Sequence, residues 1–149
     1  MIVVDDIHKH FGGFHAVDGA NLTIGKGTIT GLIGPNGAGK TTLFNVIAGV
    51  LKPTSGRVTM DGEDITGLPP YRIARLGIGF VPEDRRIFPD LTVWENLDIA
   101  RDVHGIGWSE AQVYDLFPDL RGISGRQGGV LSGGQQQMLA IARSLMGNP

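Results

Sequence analysis

The sequence predicts an α/β domain with a helical lobe, and three observations carry that prediction. Short β-branched runs alternate with apolar-periodic stretches in the first half of the 149 residues. The second half reads as helices alone. A glycine-rich loop, "GPNGAGK" at residues 34–40, joins one β-branched run to one apolar-periodic stretch. No internal repeat or linker is visible. One domain is therefore expected over residues 1–149, with a core over roughly 1–90 and the helical lobe over roughly 91–149.

Taken in order, "IVVDDI" at residues 2–7 and "GTITGLIG" at 27–34 read as strands bounded by glycine. From Gly39 to about Gly49, Leu43, Val46 and Ile47 fall at i, i+3 and i+4, the spacing of a buried helical stripe. "LKPTSGRVTMDGEDI" supplies a Pro/Ser/Gly turn, a short strand at Arg57–Met60 and an Asp-Gly turn. "PPYRIARLG" suits a short helix entered by Pro70 and closed by Gly77, and "GIGFV" suits a buried strand. Thr92 and Glu95 form a capping box for a helix expected to run to Gly105. Ser109 and Gln112 form another, for a helix that stops before Pro118. A glycine-rich loop then leads into "LSGGQQQMLAIARSLMG", where Met138, Leu139, Ala142, Leu145 and Met146 share one face.

Composition narrows the function. Apolar residues at 41% and charged residues at 19% suit a globular chain. A net charge of −2 argues against nucleic acid or an anionic membrane as the main ligand. Cysteine is absent, which excludes disulfides and thiolate metal sites and agrees with a reducing compartment. No apolar run approaches the ~18–20 residues that span a bilayer. "MIVVDDIHKH" turns acidic too soon for a signal peptide, so a membrane role is expected only through partners. The four histidines, His8, His10, His15 and His104, show no transition-metal spacing; His8 and His10 alternate on one strand face and are expected to be solvated.

Gly34, Gly39, Lys40 and Thr41 satisfy G-x-x-x-x-G-K-[ST]. Such a loop must converge backbone N–H groups on a polyphosphate, and glycine permits the turn without a Cβ in the way. The helix that follows points its positive end at the same anion. In this reading Gly34, Pro35, Asn36, Gly37, Ala38, Gly39, Lys40, Thr41 and Thr42 form the nucleotide cradle. Lys40 reaches the β- and γ-phosphates, and the Thr41 hydroxyl ligates Mg²⁺. A plain strand-to-helix turn is the alternative; the expected strand before the loop and helix after it favour phosphate.

Leu131, Ser132, Gly133, Gly134 and Gln135 make a second glycine motif. Ser132 and Gln135 fit a capping box, so a well-capped helix is one reading. The other is a second anion site, because two glycines leave a helix N-terminus uncovered. A helix already stands behind Lys40, so this site would serve nucleotide held by another subunit.

The pair "GPNGAGKTT" and "LSGGQ" resembles the ATP-binding subunits of ABC transporters, and the similarity runs from residue 2 to residue 149. The resemblance implies a partial P-loop nucleoside triphosphate hydrolase core, with ATP and Mg²⁺ as ligands. It implies that two such subunits meet head to tail, with Ser132 and Gly134 acting in trans. Phe11 sits where the family stacks an aromatic ring on adenine; an ordinary packing role is the alternative. "GIGFVPEDRRIFPDLTVWENL" and the "LSGGQQQMLAIAR" helix are similar to the subset serving branched-chain amino acid importers. Most of the superfamily has glutamine where this chain has Glu83, which either faces the metal or is a solvated loop carboxylate. Residues 83–100 would touch transmembrane permease subunits on the cytoplasmic face of the membrane. Phe88 and Trp94 are candidates there, with core packing the alternative for Trp94.

In the resembled family the catalytic carboxylates end an apolar strand just after the position of "ARSLMGNP". The sequence stops at Pro149, so no complete catalytic set is expected within it, and ATP binding without hydrolysis is. Asp5 and Asp6 end an apolar run but precede the phosphate loop and do not substitute. Two other classes compete: a regulatory nucleotide-binding module, and a non-transport ABC protein acting on nucleic acid or ribosomes, against which the absence of a basic patch counts. A GTPase is disfavoured because no Asn-Lys-x-Asp motif occurs.

Overall fold

A computed structural model describes residues 1–101 and 107–149. The chain falls into two compact units, Met1–Arg75 and Leu76–Pro149. The division comes earlier than the boundary expected near residue 90. The reason lies in residues 84–91, which contribute no strand to the first unit and are hydrogen-bonded into the second instead.

The first unit is built on strands β1 (Ile2–Phe11), β2 (Phe14–Ile24), β3 (Ser55–Met60) and β4 (Glu63–Asp64). They form one antiparallel sheet in the order β2-β1-β3-β4. A tight turn at Gly12–Gly13 joins β1 to β2, with Phe11 opposite Phe14 and Gly12 at φ 59°. The expected Asp-Gly turn lies between β3 and β4, with Asp61 and Gly62 both at positive φ. Helix α1 (Lys40–Ile47) buries Leu43, Val46 and Ile47, the stripe expected from their spacing. Val4, Ile7, Val17, Val58 and Ile65 are buried in the same unit, as is Ile73 of α2 (Pro70–Arg75).

Two expected strands are absent. Residues 28–34 and 78–82 have no regular structure. A strand needs a hydrogen-bonded neighbour, and among the described residues nothing pairs with either segment. Ile29 and Ile33 are 104% and 95% exposed, so the apolar alternation that predicts a strand at 27–34 is left facing water.

The second unit is helical: α3 (Val93–Asp98), α4 (Glu110–Leu116), α5 (Pro118–Arg121) and α6 (Gly133–Met146), with a 3-10 turn at Gly128–Val130. Both expected capping boxes form, Thr92 with Glu95 and Ser109 with Gln112. The first of these helices ends at Asp98, with Ile99 as its C-cap and residues 99–101 in turns and bends, so it stops short of the expected run to Gly105, a residue that itself lies outside the described ones. Val93, Leu97, Val113, Leu120, Leu139, Ala142 and Met146 make a dry core. Leu139, Ala142 and Met146 are buried as the helical face predicts, while Met138 and Leu145 are half-buried.

Candidate functional site

Residues 34–39 wrap back to the start of α1, and two of them adopt backbone geometry that favours glycine. Gly37 and Gly39 lie at φ 83° and 81°. A Cβ on Gly39 would overlap the Ala16 carbonyl oxygen of β2, so the loop rests directly against the β1–β2 hairpin. Gly39 is also the N-cap of α1, and no side chain caps that helix. The first turn is therefore left to an external acceptor. Lys40 folds back over the loop: its Nζ donates to Gly34 O and Pro35 O, both at 2.7 Å. Ala38 N donates to Pro35 O at 3.3 Å, closing the tip. Thr41 is exposed and Thr42 half-buried at the head of α1.

Phe11 ends β1 and is 48% exposed, with Lys9 Nζ 4.9 Å from its ring centroid. Because Gly39 abuts Ala16, the hairpin that ends in Phe11 also backs the loop. Asp5 and Asp6 are not a rigid strand end. Asp6 takes φ 48°, its N–H is bound by the Asn21 side chain, and its carboxylate faces His8. That carboxylate raises the His8 pKa above its ordinary 6.5; burial opposes the rise and the hydrogen bond to Asp18 adds to it. His8 and His10, expected to be solvated, are half-buried: the His8 ring sits between Asp6 and Asp18, and the His10 ring stacks on His15. His104 lies outside the described residues.

In the second unit, Ser132 caps α6. Its hydroxyl accepts from Gln135 N at 3.3 Å, and Gln135 Oε1 accepts from Ser132 N at 3.0 Å. The capping-box reading of the motif is thus realised, which does not remove the other. Gly133 and Gly134 remain exposed, and a Cβ on Gly134 would meet nothing. Leu131 is buried in the helical core and anchors the motif.

Sequence reasoning did not single out the residues that tie 84–91 to this helix. Arg85 Nη1 donates to Gln136 Oε1 at 3.0 Å, and the guanidinium flanks Gly133. Arg143 donates to Arg86 O at 2.7 Å and lies over the Phe88 ring; burial lowers its pKa. Arg85 and Arg86 both hold positive φ. The adjacent arginines of "EDRRIF" were the available signal. Glu83 is exposed, and it stands on a different unit from Thr41. Phe88 is partly exposed and Trp94 is 44% exposed, its indole N–H donating to Glu110 at 3.1 Å. Trp94 is therefore not the core residue that its helical spacing allows.

The chain is similar to known proteins. The family described as ABC transporter matches residues 17–149. The high-affinity branched-chain amino acid transport ATP-binding protein BraG of Pseudomonas aeruginosa is 40% identical, covering 100% of this chain and 65% of that protein. The lipopolysaccharide export system ATP-binding protein LptB of Haemophilus influenzae is 36% identical, over 100% of this chain and 64% of that one. Among solved structures, the dimeric bacterial ABC transporter cassette MJ0796 superposes with a TM-score of 0.82 at 29% identity, covering 100% of this chain and 71% of that one. The chain thus spans less than two thirds of the length of either curated relative.

Proposed function

Because this chain belongs to the ABC transporter family, we propose that it is the nucleotide-binding part of an ATP-binding subunit that energises solute import. The observation that carries the reading is Lys40, whose ammonium is turned into a glycine loop at an uncapped helix start. Residues 34–42 would hold the ATP phosphates, with Lys40 exchanging its two carbonyl partners for phosphate oxygen. Phe11, about half exposed, would stack the adenine. Thr41 offers an exposed hydroxyl, a hard oxygen donor that suits Mg²⁺, and Glu83 is offered as a further donor on the family resemblance alone. Bound there, Mg²⁺ would screen charge on the β- and γ-phosphates. Ser132, Gly133 and Gly134 would close on nucleotide held by a second subunit, as a dimeric cassette in the same family makes reasonable.

Branched-chain amino acids are the proposed cargo, from the likeness to BraG. LptB, a similar relative, is named for lipopolysaccharide export, so cargo and direction rest on subset resemblance alone. No described helix is long and apolar enough to cross a membrane. Attachment to the cytoplasmic face of the membrane through permease subunits, with 83–100 as the contact, is part of the same proposal. The full-length protein would be an ATPase. Residues 1–149 alone would bind ATP without multiple turnover: Asp6 is engaged by Asn21 and His8, and the acidic strand β4, Glu63–Asp64, follows directly on the turn at Asp61–Gly62. A regulatory module driven by ATP-dependent dimerisation is the second reading.

Equilibrium binding of MgATP to the wild-type chain and to Lys40→Ala tests the first step. The substitution is expected to weaken binding at least tenfold (about 1.4 kcal/mol). Equal binding would remove Lys40 from the site. Steady turnover by the wild-type chain, abolished in Lys40→Ala, would sink the proposal that these residues do not hydrolyse ATP.

A further inference from the structure

Beside the hairpin turn, β1 and β2 fall out of register. Ile7 pairs with Ala20 but Lys9 pairs with Val17, so Asp18 and Gly19 together oppose His8 alone. This is a bulge, and bulges re-aim side chains. Here the bulged residue, Gly19, sits at φ 68°. A Cβ on it would lie 3.5 Å from Asp6 Oδ1 and 3.7 Å from His8 Cε1, so the His8 ring lies against the glycine's bare side. The ring bridges two carboxylates: Nδ1 lies 2.8 Å from Asp18 Oδ1 and Nε2 lies 3.1 Å from Asp6 Oδ1. His10 follows two residues on, its ring centroid 6.0 Å from that of His8 and stacked at 3.8 Å on His15. One ligand atom each from His8, His10 and Asp18 lie within 4.8 Å of one another. Separately, His10 Nε2 is buried and has no hydrogen-bond partner.

We propose that His8, His10 and Asp18 form a divalent transition-metal site, with Zn²⁺ as the fitting ion and Asp6 orienting His8. Two imidazoles and a carboxylate are a donor set for Zn²⁺ with an open fourth position. Tetrahedral zinc sets its ligand atoms roughly 3.3 Å apart, so the His8 Nδ1–Asp18 Oδ1 pair at 2.8 Å opens slightly while the wider pairs, within 4.8 Å, close by up to about 1.5 Å, within reach of side-chain rotation. Asp6 accepts the His8 Nε2–H, which leaves Nδ1 as the metal-facing nitrogen, the carboxylate–histidine–metal relay that fixes ring and tautomer. The metal takes the place of any hydrogen between Nδ1 and Asp18, and that proton leaves to water. Binding would cross-link β1 to β2 at the bulge. The site uses none of the residues assigned to ATP, so it stands or falls independently of the proposed function.

The test is a Zn²⁺ titration of the untagged chain against a chromophoric chelator. One equivalent is expected, with His8→Ala and Asp18→Asn each weakening it at least tenfold. Asp6→Asn should weaken it by about 10–100-fold, the range of an orienting carboxylate, while His104→Ala should leave it unchanged. Far-UV circular dichroism checks that each variant is folded. The unsubstituted chain loaded with Co²⁺ needs no variant and should show the intense visible bands of a four-coordinate site. No stoichiometric Zn²⁺ binding, undiminished binding by folded His8→Ala, or only the weak spectrum of six-coordinate Co²⁺ would each overturn the proposal.

Discussion

Lys40 and Asn96 both turn nitrogen donors onto backbone carbonyls, and burial decides what those contacts are worth. Lys40 is half-buried, so water competes for Gly34 O and Pro35 O and the ammonium is released cheaply. Asn96 is fully buried. Its Nδ2 donates to Phe88 O, Leu91 O and Thr92 O, while its Oδ1 accepts from Phe88 N at 2.9 Å. Asn96→Ala strands these groups without water and is expected to destabilise the second unit by about 2–3 kcal/mol, measurable by urea unfolding. A loss under about 0.5 kcal/mol would mean that solvent reaches them. The two residues also differ in how legible they are. Lys40 announces itself through a fixed spacing of glycines. Asn96 sits in "WENLD" with no local sign that residues 88–92 converge on it, because that convergence is made by chain folding.

At the scale of elements, helix starts were read correctly and strands only in part. A capping box is complete within four residues, so Thr92–Glu95, Ser109–Gln112 and Ser132–Gln135 could be seen and all three form. A strand depends on a partner elsewhere, which is why 27–34 and "GIGFV" looked convincing and did not form. The β1–β2 hairpin is not among the elements expected above, although Gly12–Gly13 between two phenylalanines is a turn signal. The Thr92 box makes a pH prediction. The Thr92 N–H, and then its hydroxyl, hold Glu95 below its ordinary pKa of 4.5. A depressed carboxylate stabilises the fold above its unfolded-state value and loses that contribution as pH falls through the folded value. The stability advantage of wild type over Glu95→Gln should therefore shrink as pH drops below 4.5. An advantage that holds constant down to pH ~3 would assign the box to geometry alone.

For the molecule as a whole, the exposed run at 28–34 makes an unusual prediction. Isoleucines with strand-like spacing are ordinarily core residues, and replacing one with a charge ordinarily unfolds a domain. Here Ile29→Lys and Ile33→Lys are expected to shift the unfolding free energy of this chain by less than about 0.5 kcal/mol. A larger loss would show that 28–34 is covered in solution. The architecture was legible where local rules suffice: a phosphate-type loop, a helical half and a glycine-marked helix in between. The antiparallel sheet and the seam at Arg75–Leu76 were not, since both arise from long-range pairing. The contact of Gly39 with Ala16 sets a dimension. Ala16 stands two residues along β2 from Phe14, roughly 7 Å of strand, and Phe14 pairs with Phe11. The hairpin is therefore a ruler between an aromatic tip and the loop. Inserting one residue between Phe11 and Ala16 would lengthen it by roughly 3.4 Å and turn the ring to the other face.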